Sequence, residues 1–140
     1  MDKQLMVPIL ISIIIPIAVV VIMHSGITPG TPLSMMMEIV FIFLLPATPL
    51  VYGWLTGDVR GAVVTGTLPF ILVTILVAAF NPLDLFTPGR IGQVLIFILP
   101  LTLIGGLIGF FSSRRMYSWL CLAIFCMFGW AGYFLIAGIN

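Results

Sequence analysis

Five long apolar stretches, separated by short polar ones, dominate the chain. They cover residues 5–23, 34–55, 61–80, 91–112 and 117–137. Each holds about 20 residues, enough for an α-helix to cross a hydrocarbon core about 30 Å thick. The stretches are continuously apolar and lack the alternation of barrel strands. The pattern predicts an all-α integral membrane protein with about five transmembrane helices, forming one membrane-embedded domain over residues 1–140.

Composition supports this prediction and narrows the choice of partners. Only 6% of the residues are charged and 62% are hydrophobic, whereas soluble domains carry about 25% charged residues. A protein of this composition needs a lipid bilayer around it. The first apolar stretch is longer than the core of a signal peptide and lacks a small-x-small cleavage pattern, so we expect a retained helix. The net charge of +1 argues against a nucleic-acid partner.

The basic residues predict an orientation in the cell membrane. With five spans, Lys3, Arg60, Arg114 and Arg115 fall on one side and only Arg90 falls on the other. Positive residues concentrate on the cytoplasmic side of membrane proteins. We therefore expect a cytoplasmic N-terminus and an external C-terminus. Aromatic residues agree in part, with Trp130 and Tyr133 expected toward the outer interface.

Three prolines lie near the middle of predicted spans: Pro46, Pro69 and Pro100. Proline removes one backbone hydrogen bond and frees the carbonyl four residues earlier. The freed carbonyls are those of Ile42, Thr65 and Ile96, and the hydroxyls nearest to them in sequence belong to Thr48, Thr65, Thr67 and Thr102. We expect kinks at these prolines. They either enclose a shared feature at mid-membrane, as in transporters, or simply shape helix packing.

Two segments of the chain resemble each other at an offset of 54 residues. "FLLPATPL" around Pro46 returns as "FILPLTLI" around Pro100, and Arg60 matches Arg114. The pattern suggests a parallel repeat of residues 28–80 and 87–137. Chance matches among common membrane residues are the alternative.

Glycines predict close contact between helices. Gly105 and Gly109 are four residues apart in the fourth stretch, and Gly129 and Gly132 lie in the fifth. Small residues let helix backbones approach within a bundle or against a partner. We expect these four glycines to be helix-packing positions.

Few side chains in this chain can carry out chemistry. Glu38 is the one acid inside a predicted span; it is either an interfacial anchor, a partner contact or an ion site. His24 is the only histidine, and Asp58 beside Arg60 resembles a solvated ion pair. Cys121 and Cys126 are five residues apart, so on a helix they point apart; they are packing residues or, alternatively, ligand or redox groups. We expect no catalytic constellation, metal site or cofactor site.

Three functional hypotheses remain from different classes. The first is a small accessory or structural subunit of a larger membrane complex, such as a respiratory or ion-translocating one, and not an enzyme by itself. The second is a small oligomeric transporter or channel subunit for a neutral or lipid-like solute. The third is a membrane-embedded enzyme, and the side chains that would have to converge on the external side to form its site are Glu38, Asp84, His24 or Arg90. Glycine-lined helices and the shortage of reactive groups favour the first, and the three central prolines favour the second.

Overall fold

A computed structural model describes residues 3–23, 31–80 and 88–138, and these residues form an all-helical bundle. The helices are α1 (Lys3–Met23), α2 (Pro32–Thr56), α3 (Val59–Phe80), α4 (Pro88–Ser112) and α5 (Tyr117–Gly138). Each contains one of the predicted apolar stretches. The prediction of an all-α fold is confirmed for these residues.

Three of the helices are long and apolar enough to cross a membrane, over Val59–Leu76, Leu95–Ser112 and Tyr117–Ile136. Shorter apolar segments lie in the other two helices, over Met6–Ala18 and Ile42–Thr56. Large apolar side chains stay exposed on every helix, for example Ile14, Leu55, Ile75, Leu103 and Phe125. Lipid is the solvent that such a surface matches, so the helices support the prediction of a membrane protein.

The helices from α2 to α5 form two hairpins of matching dimensions. Helices α2 and α4 each have 25 residues, and α3 and α5 each have 22. Both hairpins turn within a few residues, at 57–58 and at 113–116. Arg60, Arg114 and Arg115 lie at or beside these turns, and we call this end of the bundle the arginine end.

Helix α3 occupies the centre of the bundle. It packs against α1 on one side and α4 on another, while α2 contacts α3, α4 and α5. Helix α5 packs mainly on α4 and lies at the edge. Helix α1 buries Pro8, Ser12 and Pro16, which are spaced four residues apart and therefore share one face.

Small residues bring α2, α3 and α4 together toward the arginine end. A methyl group at Gly66 would collide with the backbone carbonyl of Gly105, and one at Gly109 would collide with the carbonyl of Ala62. A methyl group at Gly53 would lie 3.1 Å from both the Ala62 side chain and the Gly109 carbonyl oxygen. These positions need glycine because the backbones themselves are in contact.

Large side chains fill the bundle further from the arginine end. The indole of Trp130 is fully buried, 5.5 Å from the ring of Phe70 and 5.4 Å from that of Phe134 between centroids. Phe97 packs on Phe134 at 5.5 Å. Because aromatic rings need more room than glycines, the helices are closest toward the arginine end and more widely spaced here.

Candidate functional site

One face of α5 has no neighbour within the described residues. A methyl group added at Gly129 or Gly132 would meet nothing within 4 Å. Phe125, 76% exposed, and Phe128, 61% exposed, stand one helical turn before these two glycines. We call Phe125, Phe128, Gly129 and Gly132 the outward face of α5. Two large side chains beside two small ones form a ridge and a groove, which is how helix-packing surfaces are built.

The other predicted packing glycines are used inside the chain. Gly105 packs on Gly66, and Gly109 packs on Ala62, so both belong to the α3–α4 contact. Sequence alone does not separate the two pairs, because both pairs have helical spacing. The structure places Gly105 and Gly109 in the bundle, and Gly129 and Gly132 on its surface.

The opposite face of α5 donates two hydrogen bonds to the backbone of α4. The indole nitrogen of Trp130 lies 3.2 Å from the carbonyl oxygen of Leu101. The hydroxyl of Tyr133 lies 2.5 Å from the carbonyl oxygen of Ile96. The indole of Trp130 is enclosed by the core, and its expected position toward the outer interface stays a prediction. No signal in the sequence identifies these two carbonyls as the acceptors, because the pairing depends on how α5 is rotated against α4.

The three central prolines lie at similar levels of the bundle. Gly53 contacts Ala62, and α2 and α3 run in opposite directions, so counting seven residues along each places Pro46 level with Pro69. Gly109 also contacts Ala62, and the same count places Thr102, two residues from Pro100, level with Pro69. Pro46 and Pro69 are buried and Pro100 is half-buried. The helices continue without interruption through all three prolines.

The threonine hydroxyls nearest in sequence to the freed carbonyls donate to other carbonyls. Thr48, Thr67 and Thr102 each donate to the carbonyl four residues earlier in their own helix, at 2.8–2.9 Å. Thr65 donates to Gly61 or Ala62. A threonine hydroxyl reaches its own preceding turn more easily than a neighbouring helix. Within the described residues, the freed carbonyl that gains a side-chain donor is that of Ile96, and its donor is Tyr133.

The arginine end is held together by backbone capping. Gly57 adopts a left-handed conformation (φ 69°) and donates its N–H to Gly53, ending α2. The next two carbonyls, of Trp54 and Leu55, accept from the guanidinium of Arg115, with Nε 3.1 Å from the Trp54 oxygen. A cation at a helix C-terminus also interacts favourably with the helix dipole.

Asp58 serves as a helix cap and not as the expected ion pair with Arg60. Its Oδ1 accepts the backbone N–H of Arg60 at 3.1 Å, and its Oδ2 lies 3.4 Å from the hydroxyl of Tyr52. Asparagine and aspartate commonly cap helices in this way because their side-chain oxygen satisfies an open N–H of the first turn. Arg114 lies over the ring of Phe110, 4.7 Å from its centroid.

Several predicted candidates fall outside the part of the chain that the structure describes. His24 and Asp84 lie in the undescribed segments, and the side chains of Glu38 and Arg90 are not described either. Among the described residues, no group of three or more His, Cys, Asp or Glu side chains is arranged to hold a metal ion. Cys121 is exposed and Cys126 half-buried, and both are free thiols.

Comparisons with protein-family models, with curated proteins and with solved structures find no match to this chain. The geometry of the bundle and the outward face of α5 are therefore the features that bear on function.

Proposed function

We propose that this protein is a small accessory subunit of a larger membrane complex, held against another integral membrane protein through the outward face of α5. Respiratory and ion-translocating complexes are the kind that we propose as host. In this role the chain supplies a binding surface and carries out no reaction of its own. The proposal includes the orientation derived from the basic residues, with five spans, a cytoplasmic N-terminus and an external C-terminus.

The observation that carries the proposal is the position of Gly129 and Gly132. A glycine inside a helix destabilises it by roughly 1 kcal/mol relative to alanine. At Gly105 and Gly109 the close α3–α4 contact offsets that cost, but at Gly129 and Gly132 no described residue is near enough to do so. A second helix packed on the outward face would supply the missing contact.

Physical chemistry of the bilayer points to the same conclusion. Lipid gives apolar helices no hydrophobic reason to associate, so transmembrane helices associate through close backbone approach and polar pairing. Gly129 and Gly132 permit close approach, and Phe125 and Phe128 beside them can pack into grooves of the neighbour. The edge position of α5 leaves this face open to a partner.

A second candidate function rests on the prolines. Pro46, Pro69 and Pro100 lie within about one helical turn of a common level, the arrangement that broken helices give at the centre of a transporter. A chain of this size would need several copies to enclose a path. The alternative is therefore an oligomeric transporter or channel subunit for a neutral or lipid-like solute.

Gentle extraction followed by native mass spectrometry tests the proposal. We expect the wild-type chain to emerge bound to a different integral membrane protein, and a Gly129→Leu, Gly132→Leu variant to emerge alone with its helical content unchanged. Gly92→Leu is the matched control, because Gly92 on α4 also has no described neighbour within 4 Å and lies outside the proposed surface. A wild-type monomer or pure homo-oligomer that conducts a solute in liposomes would replace this proposal with the transporter.

A further inference from the structure

Pro100 creates a weak point in α4. Since proline has no N–H, the carbonyl of Ile96 loses its usual partner within the helix. The side chain of Ile96 is 71% exposed, and it lies in the segment of α4 that is long and apolar enough to cross a membrane. An unsatisfied carbonyl in hydrocarbon is costly, and helices bend most readily at such positions.

The hydroxyl of Tyr133, on the neighbouring helix α5, donates a hydrogen bond to this carbonyl. The hydroxyl oxygen is 2.5 Å from the Ile96 carbonyl oxygen, and the ring of Tyr133 stacks on that of Phe97 with centroids 6.4 Å apart. Trp130, one turn earlier on α5, donates to Leu101 on the other side of Pro100. The two donors of α5 thus hold α4 on both sides of its proline.

The hydrogen bonds from Trp130 and Tyr133 differ in whether their acceptor carbonyl also has a partner within α4. The Leu101 carbonyl can also accept the N–H of Gly105 within α4, so the bond from Trp130 is an addition to a complete helix. The Ile96 carbonyl has no such partner as long as residue 100 is proline. The Tyr133 bond is therefore the one that replaces a missing helical bond.

We propose that Pro100 is a hinge in α4 and that Tyr133 is its latch. With the bond made, the Ile96 carbonyl is satisfied and residues 88–99 are held to the rest of the helix. With the bond broken, this segment is free to bend at Pro100. Displacement of α5 away from α4 would release the latch, so the hinge responds to whatever α5 contacts. The inference does not depend on the proposed function.

A double-mutant cycle on the full-length chain in nanodiscs tests the latch. The variants are Tyr133→Phe, Pro100→Ala and their combination, and the readout is amide hydrogen exchange in residues 91–99. Hydrogen bonds between membrane helices are worth about 0.6–1.7 kcal/mol, so we expect Tyr133→Phe to raise exchange about 3- to 15-fold. In the Pro100→Ala background the same change should have a clearly smaller effect, because the new N–H at residue 100 already bonds to the Ile96 carbonyl.

Trp130→Phe is the matched control for the cycle. It removes the bond to Leu101, which does not depend on Pro100, so its effect should be equal in both backgrounds. An equal effect of Tyr133→Phe in both backgrounds would overturn the latch and leave Tyr133 a packing residue.

A second measurement tests the latch without the Pro100→Ala variant, in case that variant does not fold. Infrared spectroscopy of a chain with an isotope-labelled carbonyl at Ile96 should show its band moving to higher frequency in Tyr133→Phe. An unmoved band would overturn the proposal, because a carbonyl that loses its donor must shift.

Discussion

Arg115 satisfies two of the backbone carbonyls that the end of α2 leaves open. Its own backbone is left-handed (φ 52°), which turns the chain between α4 and α5 and directs the side chain to Trp54 and Leu55. The contact joins residues about 60 positions apart. It thereby fastens the second hairpin to the end of the first.

We expect Arg115→Ala to destabilise the bundle by about 1 kcal/mol, since it removes charge-assisted bonds at an exposed site where solvent screens the charge. Arg114→Ala is the matched control, because it removes the same charge from the same turn but only a ring contact with Phe110. Thermal unfolding in detergent measures both changes. An equal loss of stability in the two variants would show that charge, and not capping, is what matters at this turn.

Single-residue roles were the least predictable from sequence. Arg115 and Arg60 look alike as basic residues beside a turn, yet only the left-handed backbone at 115 brings its guanidinium to the end of α2. Tryptophan is a residue type that is common at membrane interfaces, yet Trp130 is buried. Its burial follows from how α5 is rotated against α4. Neither a backbone conformation nor a helix rotation is encoded in a local pattern.

At the scale of helices, the α3–α4 contact is the closest in the bundle. Gly66 and Gly105 are in mutual backbone contact, and Ala62 and Gly109 continue it one turn further. At such separations Cα–H groups can also donate weakly to carbonyls across the interface. A helix pair in this geometry tolerates no additional carbon atoms.

We expect Gly105→Ala to destabilise the chain by about 1–3 kcal/mol, since the added methyl group forces the α3 and α4 backbones apart. Gly129→Ala should be neutral or stabilise the isolated chain by up to about 1 kcal/mol, because alanine favours helix and no neighbour is displaced. Chemical unfolding of both variants in the same detergent measures the difference. Equal destabilisation by the two substitutions would contradict the assignment of one glycine to the interior and the other to the surface.

Helix bounds were predictable because the length of an apolar run is itself the signal for a membrane-spanning helix. The predicted stretches 5–23 and 61–80 end at the last residues of α1 and α3, and the fifth stretch begins with α5 at Tyr117. Glycine spacing predicted packing positions but not their partners. Gly105 and Gly129 differ only in what lies opposite, which depends on the arrangement of all the helices.

At the scale of the whole molecule, the arginine end defines the proposed orientation. Arg60, Arg114 and Arg115 lie at or beside the two turns at this end, where Asp58 caps α3 and Arg115 caps α2. Positive residues are retained on the cytoplasmic side during insertion. We therefore propose that the turns at 57–58 and 113–116 face the cytoplasm.

Labelling with an impermeant thiol reagent checks this orientation. Single cysteines are introduced at Met116, which is exposed in its turn, and at Asn140, in a background with Cys121 and Cys126 replaced by alanine. We expect labelling of residue 140 in intact cells, and labelling of residue 116 only after the membrane is opened. The reverse pattern would overturn the orientation, and equal labelling of both from outside would overturn the five-span count.

Photo-crosslinking in the native membrane tests whether another membrane protein covers the outward face of α5. A photoreactive residue is placed at Phe128, and in a control chain at Leu103, an exposed position on α4. We expect one discrete adduct with a different integral membrane protein from position 128. This adduct should be lost in the Gly129→Leu, Gly132→Leu double variant, and position 103 should give none. Adducts with lipid alone, or with a second copy of this chain, would contradict this prediction.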